Sequence, residues 1–168
     1  MTDPAIIDTP ALMAKVLTVS DGVAAGVRDD EGGTALVARL GEAGFEVVEH
    51  RVVSDGIEEV ANALTYMAYG FNGLIVTTGG TGFGPRDLTP EATKRIVDRS
   101  APGLAEAMRA VNPLGRLSRN IAGIRGRALI LNTPGSPAGA VEMLEAVIDV
   151  LPHAVELMAG RSSIHPLD

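Results

Sequence analysis

The most informative part of this sequence for the fold is Leu74-Ile75-Val76-Thr77-Thr78-Gly79-Gly80-Thr81-Gly82, residues 74–82. Its first half is short, apolar and rich in β-branched residues, and its second half is a glycine turn. A short apolar run of this kind is typical of a strand that is covered on both faces, and such strands occur mainly in parallel sheets. The stretch therefore predicts a buried parallel strand that leaves the sheet through a glycine turn.

The sequence on either side repeats the pattern of a strand followed by a polar or glycine-rich turn. Further strands are predicted at residues 15–20, 45–53 and 128–131. Apolar residues at helical spacing predict helices at residues 36–44, 57–67, 89 onward, 104–111 and 141–158. Alternating strands and helices form βαβ units, so we expect a three-layer α/β fold with a largely parallel sheet and helices on both faces.

Cap residues, prolines and glycines predict where helices begin or break and where loops lie. Thr89 and Pro90 are expected as the N-cap and the first residue of a helix, since proline has no N–H to leave unpaired there. Pro152 is expected to kink or break the last helix. The glycine-rich and acidic residues 21–33 predict a loop, and no regular structure is predicted for residues 112–126.

Length and composition indicate one globular domain. The chain has 168 residues, of which 46% are hydrophobic and 21% are charged, and these shares are close to the averages of packed proteins. We expect a flexible N-terminal tail at residues 1–13, one domain at residues 14–160 and a C-terminal tail at residues 161–168.

Charge and residue usage argue against several classes of function. The net charge of −7 repels a phosphate backbone and aromatic residues make up only 3% of the chain, so no nucleic-acid partner is expected. The absence of cysteine excludes disulfides and thiolate chemistry. Because the sequence shows neither a secretory signal nor an apolar run of about 20 residues, the length that spans a bilayer, we expect a cytoplasmic protein without a membrane partner.

The turns that follow the strands form the candidate site, because sites in parallel sheets lie beyond the carboxyl ends of the strands. These turns are Ser20-Asp21-Gly22, Ser54-Asp55-Gly56, Thr78 to Gly82 and Asn132 to Pro137. The glycine turn is the strongest candidate, since glycines let backbone N–H groups face an anion without an intervening Cβ. It lacks the lysine of a P-loop, and a tight turn without a ligand is the alternative interpretation.

The residues that follow the glycine turn combine a cation with a carboxylate. Arg86 and Asp87 precede a predicted helix, whose N-terminus favours negative charge. A carboxylate beside a polyphosphate requires a Mg²⁺ ion between them, which makes Asp87 a candidate metal ligand. The alternative is an exposed ion pair between Arg86 and Asp87, worth under about 1 kcal/mol. For Asp55, the alternative is a cap on the helix that begins at Ile57.

The remaining polar residues are less informative. A structural role is favoured over ligand contact for Asp21, for Ser118 with Arg119 and for the turn at residues 132–137, when each is taken alone. The three histidines share no metal-ligand spacing, and we assign them no catalytic role. They are His50, His153 and His165.

Three stretches taken together resemble the molybdenum cofactor biosynthesis domain family. They are TGGTG at residues 78–82, PRDLTPEAT at residues 85–93 and NTPGSP at residues 132–137. The resemblance extends to residues 19–21, 118–119 and 122–126, so it covers about residues 15–160. Within the family, the chain is most similar to the stand-alone molybdopterin adenylyltransferases.

The resemblance implies a reaction and a set of site residues. The reaction is transfer of AMP from ATP to the terminal phosphate of molybdopterin, with Mg²⁺, which gives adenylyl-molybdopterin and pyrophosphate. Asp55 and Asp87 are implied as the catalytic residues and as the metal ligands. The implied nucleotide and pterin site comprises Ser20, Asp21, Gly79, Gly80, Thr81, Gly82, Arg86, Ser118, Arg119, Pro134, Gly135 and Ser136.

The same motifs occur in family members without demonstrated adenylyl transfer. A non-catalytic molybdopterin-binding or assembly protein is therefore the alternative function, and the presence of both Asp55 and Asp87 favours the enzyme. The family also implies a homotrimer or hexamer, and contacts with other enzymes of molybdenum cofactor biosynthesis.

Overall fold

Six strands form one sheet in this computed structural model, which describes residues 11–161. The strands are β1 (Leu12–Val19), β2 (Phe45–Val53), β3 (Asn72–Thr78), β4 (Arg99–Ser100), β5 (Ala122–Arg125) and β6 (Arg127–Thr133). Their order across the sheet is β2-β1-β3-β6-β5-β4. β1 pairs in parallel with β2 and β3, and β3 pairs in parallel with β6. The carboxyl ends of these four strands therefore lie at one edge of the sheet.

The other end of the strand order is antiparallel. β5 pairs antiparallel with β6 and with β4. The prediction of a largely parallel sheet is confirmed for β1, β2, β3 and β6. The antiparallel addition comes in part from residues 112–126, for which no regular structure was predicted.

Helices cover both faces of the sheet, as predicted. They are α1 (Asp21–Ala24), α2 (Glu31–Glu42), α3 (Ile57–Ala68), α4 (Thr89–Ile96), α5 (Pro102–Ala110), α6 (Pro137–Glu145) and α7 (Leu151–Met158), with a 3₁₀ turn at Pro113–Leu117. Helices α2, α5, α6 and α7 contribute to one apolar core, and α3 and α4 contribute to the other. Successive residues of β3 alternate between the two cores, because side chains of a strand point to opposite faces. Three layers result.

Two local predictions were wrong for reasons of local bonding. Residues 21–33 are not one loop, because they contain α1 and the first turn of α2. Asp30 caps α2 by accepting a hydrogen bond from Gly33 N at 2.9 Å. The N-cap of α4 is Leu88 and not Thr89, so Thr89 is the first residue of the helix and Pro90 the second. The buried Thr89 hydroxyl instead donates to Gly79 O at 2.9 Å, so it ties the helix to the glycine turn.

The predicted break of the last helix is confirmed. α6 ends at Glu145, and Pro152 lies in the first turn of α7, where a missing N–H costs nothing. At the other end of the chain, β1 begins at Leu12, so two residues of the predicted N-terminal tail belong to the sheet. The rest of that tail and residues 162–168 of the C-terminal tail lie outside the described residues, apart from Ala11. Between residues 11 and 161, no helix has the length and apolarity needed to cross a membrane.

Candidate active site

Two chambers open side by side at the carboxyl edge of the parallel strands. The first has a volume of about 500 Å³ and is called the acidic chamber, and the second has a volume of about 600 Å³ and is called the apolar chamber. The acidic chamber is lined by Thr18, Val19, Ser20, Val23, Arg28, Asp29, Asp30, Glu31, Gly32, Asp55, Thr78, Gly79, Gly80, Asp87, Gly135, Ser136 and Pro137. The apolar chamber is lined by Gly80, Thr81, Gly82, Asp87, Val111, Asn112, Leu114, Gly115, Leu117, Ser118, Pro134, Gly135, Ser136, Ala138, Gly139, Glu142 and Met143.

Most residues that the sequence predicted for the site line at least one chamber. Asp55 and Asp87 both line the acidic chamber, so the two carboxylates share a cavity although they follow different strands. Four residues line both chambers and form the divide between them. They are Gly80, Asp87, Gly135 and Ser136. Three predicted residues, namely Asp21, Arg86 and Arg119, line neither chamber.

The glycine turn is held in a conformation that only glycine adopts readily. Gly79 has φ 101° and Gly80 has φ 71°. A Cβ on Gly79 would lie 2.1 Å from Val19 O, so the turn also packs too closely against β1 for any side chain. Replacement of Gly79 would therefore distort the floor of the site.

The amides of the turn differ in what they can bind. Gly79 N donates to Thr133 O at 3.1 Å, so this amide is not available to a ligand. The amides of Gly80, Thr81 and Gly82 have no hydrogen-bond acceptor anywhere in the described part of the chain. Gly80 belongs to the divide, and Thr81 and Gly82 line the apolar chamber beside it. Three successive free N–H groups of this kind can bind phosphate oxygens.

Asp55 is fixed by a reciprocal pair of hydrogen bonds with Asp21. Asp21 N donates to Asp55 Oδ2 at 3.0 Å, and Asp55 N donates to Asp21 Oδ1 at 3.2 Å. The alternative role of Asp55 as a helix cap is not observed, since Gly56 is the N-cap of α3 and that cap has no side-chain hydrogen bond. Burial raises the pKa of the Asp55 carboxyl, and the charges of Asp21 and Asp87 act in the same direction.

Arg86 binds Asp21 and not its neighbour in sequence. Its Nε and Nη2 donate to the Asp21 carboxylate at 2.6 and 2.9 Å, and Nη2 also donates to Asp55 O at 2.9 Å. The hydrogen bond from Arg86 lowers the pKa of Asp21. The predicted alternative of an ion pair between Arg86 and Asp87 is therefore wrong, and the Asp87 carboxylate is left for other contacts.

Asp87 closes a tight turn at the wall of both chambers. Gly84 N donates to Asp87 Oδ2 at 2.8 Å, and Asp87 N donates to Gly84 O at 3.1 Å. Arg119 secures the same segment from outside: its Nε donates to Gly82 O at 2.8 Å, and its Nη2 donates to Asp87 O. The guanidinium also forms an ion pair with Glu91. Arg119 thus binds the protein backbone at the site instead of facing either chamber.

The three serines predicted as ligand contacts also have structural bonds. Ser20 Oγ accepts from Val23 N and caps α1, and Ser136 Oγ accepts from Gly139 N and caps α6. Ser118 Oγ accepts from Asn120 N at 3.3 Å. A hydroxyl that accepts one bond still has a donor to offer, so these bonds and ligand contact are compatible.

A polar cluster that the sequence analysis missed supports the acidic chamber. Thr18 Oγ1 donates to Asp30 Oδ2 at 2.8 Å, and His50 Nε2 lies 2.8 Å from the same oxygen. A Cβ on Gly33 would lie within 2.5 Å of all three side chains, so this cluster packs directly on the start of α2. The aspartate before a helical pattern was the available signal, because Asp30 is a good N-cap residue.

The apolar wall of the second chamber was also missed. Leu114 and Leu117 lie on the 3₁₀ turn, and Val111 is the C-cap of α5. All three line the apolar chamber, in or beside the segment for which no regular structure was predicted. The usable signal was three apolar residues at three-residue spacing, the period of a 3₁₀ turn.

Comparison with known proteins agrees with this architecture. A family model described as a probable molybdopterin binding domain matches residues 15–153. The chain belongs to this molybdopterin-binding domain family. The resemblance that three stretches of sequence indicated is thereby confirmed.

Relatives of this family member match nearly its whole length. A molybdopterin adenylyltransferase of Helicobacter pylori J99 is 40% identical over 153 residues, which cover 87% of each chain. The enzyme of the same name from Escherichia coli K12 is 35% identical over 165 residues, covering 86% of this chain and 84% of the relative. The structure of the molybdopterin biosynthesis enzyme MoaB from Thermus thermophilus superposes with a TM-score of 0.84 at 47% identity, covering 89% of this chain and 98% of that one.

The site of this family member suits a metal ion shared with a ligand better than one held by protein alone. In the described range 11–161, no three His, Asp or Glu side chains are grouped to hold a metal. Asp55 and Asp87 are close enough for the charge of one to influence the pKa of the other. Mg²⁺ is commonly held by one or two carboxylates together with phosphate oxygens and water. Two carboxylates beside three free amides fit that arrangement.

Proposed function

We propose that this protein transfers AMP from ATP to the terminal phosphate of molybdopterin in the biosynthesis of the molybdenum cofactor. The names of the relatives from H. pylori and E. coli support this reaction. The observation that carries the proposal is the shared cavity of Asp55 and Asp87 beside a glycine turn with free amides. The alternative of a binding protein without turnover is not favoured by these names.

The reaction requires two phosphate groups to meet. An oxygen of the molybdopterin phosphate attacks the α-phosphorus of ATP, a new P–O bond forms, and the bond from that phosphorus to the bridging oxygen breaks to release pyrophosphate. Two adjoining chambers suit two substrates. In this proposal their phosphates would meet at the four residues of the divide. Asp87 and the Gly80 amide belong to this divide.

Positioning and charge neutralisation dominate catalysis of phosphoryl transfer. The amides of Gly80, Thr81 and Gly82 would bind phosphate oxygens, and the reciprocal bonds with Asp21 would orient Asp55. Asp55 and Asp87 would hold Mg²⁺, which supplies positive charge to the polyphosphate. The remaining predicted site residues that line the chambers would bind the nucleotide and the pterin.

We also propose, from family membership, that the protein acts in the cytoplasm as a homotrimer or hexamer and meets other enzymes of the same biosynthesis. The mass of the purified protein in solution tests the assembly. A monomer at assay concentration would contradict it.

The reaction is tested by incubating purified protein with molybdopterin, ATP and Mg²⁺ and measuring pyrophosphate release. We expect release that depends on all three additions, and we expect Asp87→Asn to reduce it by a factor on the order of 10² or more, as loss of an electrostatic catalytic group commonly does. Wild-type release no greater than that of Asp87→Asn would refute the catalytic proposal. Molybdopterin binding without release would support the non-catalytic alternative.

A further inference from the structure

We infer that Arg28 is the side chain that binds a substrate phosphate in the acidic chamber. This inference rests on the proposed function and adds a residue to it. Neither the glycine turn nor the two catalytic carboxylates supplies a full positive charge, and Arg28 supplies one from the lining of the same chamber.

The charges that line the acidic chamber are strongly unbalanced. Five acidic residues of the described chain line it, namely Asp29, Asp30, Glu31, Asp55 and Asp87. Among the described residues, Arg28 is the only lysine or arginine in the lining of either chamber. A polyphosphate entering this cavity carries several negative charges, so it needs cationic partners besides a metal ion. Arg28 is the one such side chain among the described residues that line the chamber.

The other two arginines near the site are already engaged. Arg86 is bound to the Asp21 carboxylate and to Asp55 O, and Arg119 is bound to Glu91 and to two backbone carbonyls. Arg28 donates no side-chain hydrogen bond and forms no ion pair within residues 11–161. Its guanidinium can therefore bind an arriving anion without breaking a contact of the fold.

The position of Arg28 is set by the chain around it. Arg28 N donates to Gly22 O at 3.2 Å, and Val27 N donates to the same oxygen at 3.0 Å. A Cβ on Gly22 would lie 2.8 Å from Cδ of Arg28, so the aliphatic part of the side chain lies directly over Gly22. This packing holds the exposed arginine at the chamber.

Arginine suits this task because its planar guanidinium can donate two parallel hydrogen bonds to one phosphate. Lysine would keep the positive charge but could not donate two parallel hydrogen bonds from one planar group. The predicted order of phosphate affinity is therefore wild type, then Arg28→Lys, then Arg28→Ala.

Calorimetric titration of the purified protein with pyrophosphate in the presence of Mg²⁺ tests the inference directly, without requiring turnover. We expect Arg28→Ala to weaken binding about tenfold or more, the usual effect of losing a hydrogen bond to a charged group, and Arg28→Lys to fall between. Arg127→Ala is the matched control, since Arg127 is exposed at the start of β6, at the opposite edge of the sheet. It should bind as the wild type does.

A second variant acts on Arg28 without removing its charge. Gly22→Ala places a methyl group where the side chain of Arg28 lies, so it should displace that side chain and weaken pyrophosphate binding severalfold. Unchanged affinity in Arg28→Ala, an equal loss in Arg127→Ala, or no binding by the wild type would each overturn the inference. Wild-type binding that depends on Arg28, in a protein without adenylyl transfer, would sustain the inference and refute the proposed function.

Discussion

Arg86 and Arg119 fix the two sides of the site in different ways. The Arg86 side chain is 63% exposed and binds mainly one carboxylate, that of Asp21. The Arg119 side chain is 35% exposed and binds two backbone carbonyls in the segment that carries Asp87, as well as Glu91. Arg86 therefore binds a carboxylate that also accepts a hydrogen bond from Asp55 N. Arg119 binds the backbone of the segment itself.

The difference indicates which catalytic carboxylate depends more on its supporting arginine. Asp55 is oriented by Asp21 N even without Arg86. The carbonyls of Gly82 and Asp87 have only Arg119 as a donor among the described residues. We therefore expect the Asp87 side of the site to be the more sensitive to loss of its arginine.

Arg119→Ala should produce the larger loss of stability of the two. It leaves two carbonyls and the Glu91 carboxylate without their donor, which should lower the free energy of unfolding by about 2 kcal/mol, given that hydrogen bonds to charged groups contribute roughly 1.5–3 kcal/mol. Arg86→Ala should cost less, because its bonds lie in solvent, where ion pairs contribute little. Urea denaturation of both variants measures the difference.

Arg116→Ala is the control for this comparison, since the exposed Arg116 side chain donates, within residues 11–161, only to Pro113 O in its own 3₁₀ turn. It should unfold as the wild type does. Equal losses from Arg86→Ala and Arg119→Ala would show that burial does not separate the two arginines.

The charge of Glu91 should make a smaller contribution to stability, and this contribution should disappear in acid. The hydrogen bond from Arg119 lowers the pKa of Glu91 below its ordinary value of 4.5. A carboxyl whose folded pKa is lowered stabilises the fold above its unfolded pKa, and that contribution is lost as the pH falls through the folded pKa. Above the unfolded pKa of Glu91, the free energy of unfolding of the wild type should therefore exceed that of Glu91→Gln by under about 1 kcal/mol. This difference should disappear at a pH below the folded pKa.

Thermal unfolding of the two proteins from neutral pH into acid measures this gap. A gap that keeps the same size at every pH would mean that Glu91 stabilises the protein through packing and not through its charge.

Local patterns in the sequence predicted the strands of the sheet and the edge at which the site lies. β2 occupies the predicted residues 45–53, and the turns after four strands do meet at one edge. Both results follow from short-range information, since apolar periodicity marks strands and helices and parallel pairing brings strand ends together. The shared cavity of Asp55 and Asp87 is a consequence of that topology.

The sequence did not predict which polar groups are paired. Arg86 was expected beside Asp87 or a ligand, but it binds Asp21, which is distant in sequence. Gly79 was expected to offer its amide, but Thr133 O accepts it. These pairings depend on the packing of separate elements, which no local pattern encodes. For the same reason Arg28, which lines the chamber and has no side-chain partner among the described residues, was not singled out.

If Asp55 and Asp87 hold one Mg²⁺ between them, the two residues act as one unit. The decisive measurement is kcat/KM for pyrophosphate release in the wild type, in Asp55→Asn, in Asp87→Asn and in the double variant. We predict that kcat/KM falls by a factor on the order of 10² or more in each single variant. The double variant should lose about as much as the more impaired single variant, because the effects of groups that act together are not additive. Losses that multiply in the double variant, or a single variant with wild-type kcat/KM, would contradict the account.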